Sequence, residues 1–143
     1  MIILDTNVLS EAIRPSPSEI VLRWIGAQEP LNVFTTAITQ AEVLYGIEML
    51  PAGKRRTRLL AAIEKVLADE FHGRILPFDE DAARVFPKIV AGRDALGRPI
   101  SQFDAIIAAI VRSRRAALAT RSTRDFDHCG IRIINPWTSA KTE

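Results

Sequence analysis

The chain has 143 residues, 48% of them hydrophobic, and a net charge of +2; this favours one folded domain over residues 1–143 and excludes a disordered or fibrous protein. The longest strictly apolar run, Ala105–Val111, is much shorter than the ~20 residues that a membrane span needs. A single cysteine excludes an internal disulfide, and the first residues lack the basic segment of a signal peptide, so we expect a cytoplasmic protein without a membrane anchor.

Short apolar segments predict five β-strands separated by helices. In chain order these strands are Ile2–Leu4, Leu31–Thr35, Arg74–Phe78, Ala116–Thr120 and Gly130–Ile134. Apolar residues at helical spacing predict the helices Val8–Ile13, one capped by Ser18, Ala37–Leu50, Lys54–Glu70, Asp81–Arg93 behind a cap at Asp79, and Ser101–Arg115. Strands joined through helices are parallel, so the sequence predicts a three-layer α/β/α fold that ends at Asn135 and Pro136.

Four acidic residues are candidates for a site at the carboxyl ends of the strands, where parallel sheets bind ligands. Asp5 directly follows the first strand, Asp125 lies just after the fourth, and Asp104 opens the apolar helix that leads into the fourth strand. Glu42 lies inside an apolar helical segment. Each also has a plain structural interpretation: Asp5 as a helix cap, Asp104 as the capping-box partner of Ser101, Asp125 as a turn residue and Glu42 as an outward-facing side chain.

A cluster of carboxylates favours a hard divalent cation. Neighbouring carboxylates raise one another's pKa, and a bound cation relieves their repulsion. Oxygen ligands without histidine or cysteine favour Mg²⁺, with Mn²⁺ as an alternative, over zinc. Such a cation lowers the pKa of a bound water and orients a phosphate, so phosphodiester hydrolysis then needs neither a covalent nucleophile nor a histidine base. The chain's only histidines are His72 and His128, which suits that chemistry.

Four segments carry a resemblance to a known family. They are Ile2–Glu11, Thr39–Ile47, Asp104–Ala109, and Leu118–Arg121 together with Asp125 and Phe126. In this order, and over nearly the whole chain, they resemble the PIN-domain ribonucleases. The similarity is to the VapC-type toxins of bacterial type II toxin–antitoxin pairs, in their FitB-like, plasmid-stability branch. It implies a five-stranded parallel sheet of order 3-2-1-4-5 and a Mg²⁺-dependent endoribonuclease that hydrolyses RNA phosphodiester bonds with metal-activated water.

The resemblance also implies roles for individual residues. The catalytic and metal-binding acids would be Asp5, Glu42, Asp104 and Asp125, supported by Thr6, Asn7, Thr120 and Ser122. The family pattern is Thr-Arg-Asn-x-x-Asp-Phe, and Ser122 stands here in place of its asparagine, offering one hydroxyl instead of an amide. Because the four acids are intact, we expect activity, with Ser122 as the point at which it could be weaker.

RNA and an antitoxin are the expected partners. Residues 1–50 carry two basic and six acidic groups, whereas residues 51–143 carry seventeen and eleven, so the basic part permits an anionic partner. The candidate RNA contacts are Lys54, Arg55, Arg93 and Arg98, although the first two also suit the solvated start of a helix. The resemblance implies a cognate antitoxin, a homodimer or a hetero-oligomer with that antitoxin, and operator DNA contacted only through it.

A non-enzymatic hypothesis stays open beside the nuclease. In it, the chain is a weakly active or inactive PIN module that acts mainly in a DNA-bound toxin–antitoxin complex, and Ser122 marks the loss of activity. A phosphatase of the haloacid dehalogenase type is disfavoured, because Asn7 stands where that family needs a second aspartate. A P-loop nucleotidase is excluded because the sequence has no GxxxxGK[ST] motif.

Overall fold

Five parallel strands form the centre of the computed structural model, which describes residues 1–139. The strands are β1 (Ile2–Leu4), β2 (Val33–Thr36), β3 (Ile75–Leu76), β4 (Ala117–Ala119) and β5 (Arg132–Ile134). Their spatial order is β3-β2-β1-β4-β5, and every neighbouring pair is parallel. The predicted parallel sheet and the order implied by the family resemblance are both confirmed.

Four strands, β2 to β5, are shorter than the sequence predicted, and for β2 and β3 the pairing with neighbouring strands explains where they begin or end. Ile2 at the start of β1 pairs with Val33, so Pro30–Asn32 have nothing to pair with and form a 3₁₀ turn instead of strand. At the other end, Leu76 pairs with Thr36, the last residue of β2. The predicted strand therefore stops before Pro77, whose nitrogen carries no hydrogen to donate to the sheet.

Helices cover both faces of the sheet. They are α1 (Thr6–Ala12), α2 (Glu19–Gly26), α3 (Ala37–Glu48), α4 (Lys54–Lys65), α5 (Glu80–Ala95), α6 (Gln102–Ser113) and the short α7 (Pro136–Ser139). The Ser101 and Asp79 caps are confirmed, since each side chain accepts a hydrogen bond from the first turn of its helix. The expectation that the fold ends at Pro136 was wrong: Asn135 Oδ1 accepts from the Trp137 amide at 3.0 Å and caps α7.

The long helix predicted over Lys54–Glu70 changes its winding near its end. After α4, residues Val66–Glu70 form a π-helical turn, and the Phe71 amide donates to the carbonyl of Val66 at 3.2 Å. The wider turn keeps Leu67 and Phe71 buried on the same side of the sheet as α4. Periodicity predicts such a segment as helix but does not show the change in winding.

Two apolar clusters separate the three layers and confirm the α/β/α architecture. Ile3 of β1 and Leu118 of β4 face the cluster formed with α5 and α6. Leu4 and Ala119, the next residue in each strand, face the opposite cluster, which α1 to α4 cover. Consecutive residues of one strand point to opposite faces of a sheet, so a strand buried on both faces has to be continuously apolar. Among residues 1–139 no helix has the length and apolar character that crossing a membrane requires.

Candidate active site

Asp5 is the most buried acid at the carboxyl edge of the sheet, with 4% of its surface exposed. Its amide donates to the Ala119 carbonyl at 3.0 Å, which continues the pairing of β1 with β4 by one residue. Its Oδ1 accepts from the amides of Asn7 (3.1 Å) and Val8 (3.3 Å), and its Oδ2 accepts from the Thr120 hydroxyl at 2.6 Å. Asp5 therefore caps α1, and it still has a free lone pair on Oδ2 for a further ligand.

Burial changes the acidity of Asp5. Loss of hydration raises the pKa of this carboxyl from 3.8 to about 6, and the hydrogen bonds from Thr120, Val8 and Asn7 only partly oppose that rise. The nearby charge of Asp104 adds a smaller upward contribution to the same pKa. The carboxyl is thus mostly ionised at neutral pH, at a cost that an adjacent cation would relieve.

Glu42 reaches the same edge from α3. The Thr6 hydroxyl, in the first turn of α1, donates to Glu42 Oε1 at 2.7 Å. The plain structural interpretation of Glu42 was an outward-facing side chain. In the structure Glu42 is half-buried, so it does not point freely outward. Thr6, which follows Asp5 in the sequence, thus holds Glu42 at the same edge of the sheet.

Asp104 brings the group of acids together electrostatically. It lies in the first turn of α6, where its amide donates to the Ser101 hydroxyl at 3.2 Å. Burial is the main cause that raises the pKa of its half-buried carboxyl, and the negative charges of Asp125 and Glu42 raise it further. The charges of Asp125 and Glu42 thus act on Asp104, and the charge of Asp104 acts on Asp5, so the four predicted residues lie in one region.

The loop after β4 is tied to α1 through short polar contacts. The Ser122 hydroxyl accepts from Asn7 Nδ2 at 3.0 Å, and the Ser122 amide donates to the Thr120 hydroxyl at 3.0 Å. Asn7 Oδ1 in turn accepts from the Arg121 amide at 3.1 Å. Serine at position 122 therefore keeps a contact with α1 despite replacing the family's asparagine. Asp125 lies beyond it in the 3₁₀ turn Thr123–Phe126 and is exposed.

The predicted RNA contacts are not all placed for that role. Arg93 is 5% exposed, and its guanidinium donates to the carbonyls of Arg98 (2.7 Å), Asp125 (2.9 Å) and Asp127 (2.9 Å). The prediction that Arg93 contacts RNA was wrong, because its side chain is buried and its donors are bonded within the fold. There it holds the loop that carries Asp125. Arg98 is exposed and pairs with Asp127 at 3.6 Å.

Lys54 and Arg55 are exposed at the start of α4, so their contact with RNA stays a prediction. Sequence reasoning gave no role to Arg121, whose guanidinium lies 4.9 Å from the centre of the Trp137 ring. The only signal for it was its position inside a segment shared with the family. The sequence also gave no signal for the burial of Arg93, which it placed at the end of a predicted helix.

The donor chemistry of the acids fits a hard divalent cation. No three histidine, cysteine or acidic side chains within residues 1–139 lie close enough together to form a ready-made metal cage. Mg²⁺ usually binds through one or two carboxylates and keeps several waters, so it needs no such cage. Asp5 and Asp104 fit this requirement, because both carboxyls have raised pKa values and the charge of Asp104 contributes to the rise at Asp5.

Comparisons with known proteins agree with this geometry. The family model for the PIN domain matches residues 2–131. VapC ribonuclease Y4jK of Sinorhizobium fredii is 41% identical over 98% of this chain and 100% of its own length. The crystal structure of FitAcB from Neisseria gonorrhoeae contains a chain that is 38% identical and superposes with a TM-score of 0.89 over 96% of this chain and 99% of that one. A structure of FitAB bound to an IR36 DNA fragment gives a TM-score of 0.88 at 38% identity, over 96% of each chain.

Those matches cover almost the whole chain at high identity. The chain therefore belongs to the PIN domain family, in its branch of VapC-type toxins that includes FitB.

Proposed function

We propose that this protein is a Mg²⁺-dependent endoribonuclease toxin, with Asp5, Glu42, Asp104 and Asp125 as its catalytic and metal-binding acids. The observation that carries the proposal is the buried Asp5, whose carboxyl has a pKa of about 6 and shares its surroundings with the charge of Asp104. A protein gains nothing in stability by burying a carboxylate beside other carboxylates. Such an arrangement is typical of a site that binds a cation.

The residues around the acids have distinct roles in this proposal. The four acids would hold the cation, and Asp5 and Asp104 are the two whose raised pKa values most favour it. The cation, when bound, lowers the pKa of a water molecule and neutralises charge on the phosphate. Thr120 and Thr6 orient the carboxylates of Asp5 and Glu42 through their hydroxyls. Ser122 and Asn7 hold the loop that carries Asp125 against α1.

A protein antitoxin is the second part of the proposal. Support comes from FitAcB and from FitAB bound to a DNA fragment, whose toxin chains are 38% identical to this one. By extension this chain pairs with a cognate antitoxin, as a homodimer or a hetero-oligomer, and reaches operator DNA only through that partner. A cytoplasmic location is proposed on the ground of the single, buried cysteine.

One observation favours the alternative of a weakly active or inactive module in a DNA-bound complex. Ser122 replaces the family's asparagine in the loop beside Asp125. If the shorter side chain positioned the loop badly, the acids would bind a cation weakly. The contact between Ser122 and Asn7 argues against that outcome.

Cleavage of a defined mixture of single-stranded and stem-loop RNAs by antitoxin-free protein tests the proposal. The reactions contain Mg²⁺, Mn²⁺ or EDTA, and they compare the wild-type protein with Asp104→Asn. Asp69→Asn is the matched control, because Asp69 is exposed and precedes β3 at the opposite edge of the sheet. We expect metal-dependent cleavage that Asp69→Asn leaves unchanged. Asp104→Asn should lower the cleavage rate by more than ~100-fold, which exceeds the usual cost of losing a residue that only supports a metal ligand. Folded, metal-binding protein that cuts no RNA would favour the inactive module.

A further inference from the structure

The backbone of Arg121 lies at the same end of the sheet as Asp5, in a position that the fold fixes. It follows Thr120, whose hydroxyl donates to Asp5 Oδ2 at 2.6 Å. The Arg121 amide donates to Asn7 Oδ1 at 3.1 Å, from the first turn of α1. The main chain at Arg121 is therefore held from both sides at the carboxyl edge of the sheet.

The side chain of Arg121 is oriented without the use of its hydrogen-bond donors. Its guanidinium carbon lies 4.9 Å from the centre of the Trp137 ring, within the ~6 Å range of a cation–π contact. Across residues 1–139, the guanidinium takes part in no ion pair or hydrogen bond, and the residue is exposed. A guanidinium over an aromatic face keeps its N–H groups in its own plane, where they can bind an acceptor bidentately.

Arg121 lines a depression of about 340 Å³. Its lining includes Thr6, whose hydroxyl donates to Glu42, so one of its walls is a neighbour of that acid. Its other lining residues are polar or aromatic, namely Asn7, Ser10, Glu11, Arg14 and Trp137. Arg14 already pairs with the buried Glu11 at 3.3 Å, so Arg121 is the lining cation that has no acidic partner among residues 1–139.

We propose that Arg121, stacked on Trp137, binds a backbone phosphate of the RNA next to the phosphate that is cleaved. This inference rests on the proposed ribonuclease function. A nucleic acid that reaches the acids brings several phosphates to this edge, and only one of them can lie at the acids. Arginine binds phosphate oxygens through paired, charge-assisted hydrogen bonds. The contact would hold the strand in register without reading its sequence.

Binding and cleavage measurements together test the role of Arg121. Binding is followed by fluorescence anisotropy of a labelled RNA from the mixture above, with Asp104→Asn protein so that the RNA stays whole. The variants are Arg121→Gln, which removes the charge, and Arg121→Lys, which keeps the charge but loses the planar fork. Arg132→Gln is the matched control, because Arg132 is exposed and pairs with Ala117 at the amino end of β4, opposite the acids.

We expect Arg121→Gln to raise the Kd about 5- to 10-fold, as for one exposed charge-assisted hydrogen bond. The slope of log Kd against log salt should become shallower by about 0.7, the value for one phosphate contact on a single strand. Arg121→Lys should keep the slope and weaken binding less, and Arg132→Gln should change neither quantity. Thermal melting checks that every variant is folded.

An unchanged Kd or an unchanged salt slope for Arg121→Gln would overturn the inference. Cleavage by the wild-type protein, measured in parallel, separates the two proposals. Metal-dependent cleavage with no effect of Arg121→Gln would leave the nuclease intact and refute the phosphate contact. Failure of the wild-type protein to bind or cut any RNA would refute both. RNA binding that Arg121→Gln weakens, without any cleavage, would support the contact and refute the catalytic proposal.

Discussion

Replacement of Asp5 by asparagine should stabilise the protein while it destroys the metal site. The folded state raises the pKa of Asp5 from 3.8 to about 6, chiefly through burial. At about 1.4 kcal/mol per pKa unit, ionisation of this carboxyl costs the folded state about 3 kcal/mol at neutral pH. Asparagine removes that cost and keeps a carbonyl oxygen that accepts from the amides of Asn7 and Val8.

The net gain is smaller than that cost. The new side-chain amide faces the Thr120 hydroxyl, which donates to Asp5 in the wild-type protein and would have to turn. We therefore expect Asp5→Asn to raise the free energy of unfolding by about 1–3 kcal/mol, part of the gain being lost in that hydrogen bond. For a chain of this size the melting temperature would rise by about 3–10 °C.

The pH dependence of the stability difference between Asp5→Asn and the wild-type protein shows whether ionisation of Asp5 causes that difference. A carboxyl with a raised pKa in the folded state contributes stability that is fully present below its unfolded value of 3.8 and is lost as the pH rises through about 6. The two proteins should therefore melt closer together as the pH falls from about 7 to about 4. Melting followed by circular dichroism in EDTA measures this, with Asp69→Asn as the control for loss of an exposed charge.

Added Mg²⁺ gives a second comparison on the same two proteins. A cation that binds only the folded state raises the melting temperature of the wild-type protein and should not raise that of Asp5→Asn. The reasoning is refuted if Asp5→Asn melts below the wild-type protein at neutral pH, or if the difference between them does not change with pH.

Three further predictions follow from contacts at the site. Mn²⁺ affinity, measured by calorimetry, should rise about tenfold per pH unit up to about pH 6 and level off above that pH, because Asp5 must lose its proton to bind the cation. A Mn²⁺ affinity that does not change with pH would exclude Asp5 as a ligand. Arg93→Met should lower the free energy of unfolding in urea by about 2–4 kcal/mol, because three carbonyls lose their buried donor, whereas the exposed Arg98→Met should cost under about 1 kcal/mol. Ser122→Ala should lower RNA cleavage at least about 10-fold through loss of its contact with Asn7, while Ser122→Asn stays within a few-fold of wild type; equal rates for Ser122→Ala and wild type would show that the contact is unused.

Local patterns in the sequence predicted most elements of this fold and the position of Asp5 at the end of β1. Ile2–Leu4 is continuously apolar because β1 is covered on both faces, and Asp5 comes directly after it. That adjacency is a property of neighbouring residues, so it is readable without coordinates. The capping interpretation of Asp5 is confirmed, and the same carboxylate offers enough lone pairs for its proposed role in the site as well.

Contacts between distant parts of the chain decided the remainder. Thr6 meets Glu42 across 36 residues of sequence, and Arg93 meets the carbonyl of Asp125 across 32. Periodicity and spacing describe neighbours along one element, so they reveal neither the burial of Arg93 nor the stacking of Arg121 on Trp137. The sequence thus predicts the chemical character of the candidate site, whereas the orientation of its acids depends on packing that forms only in the folded chain.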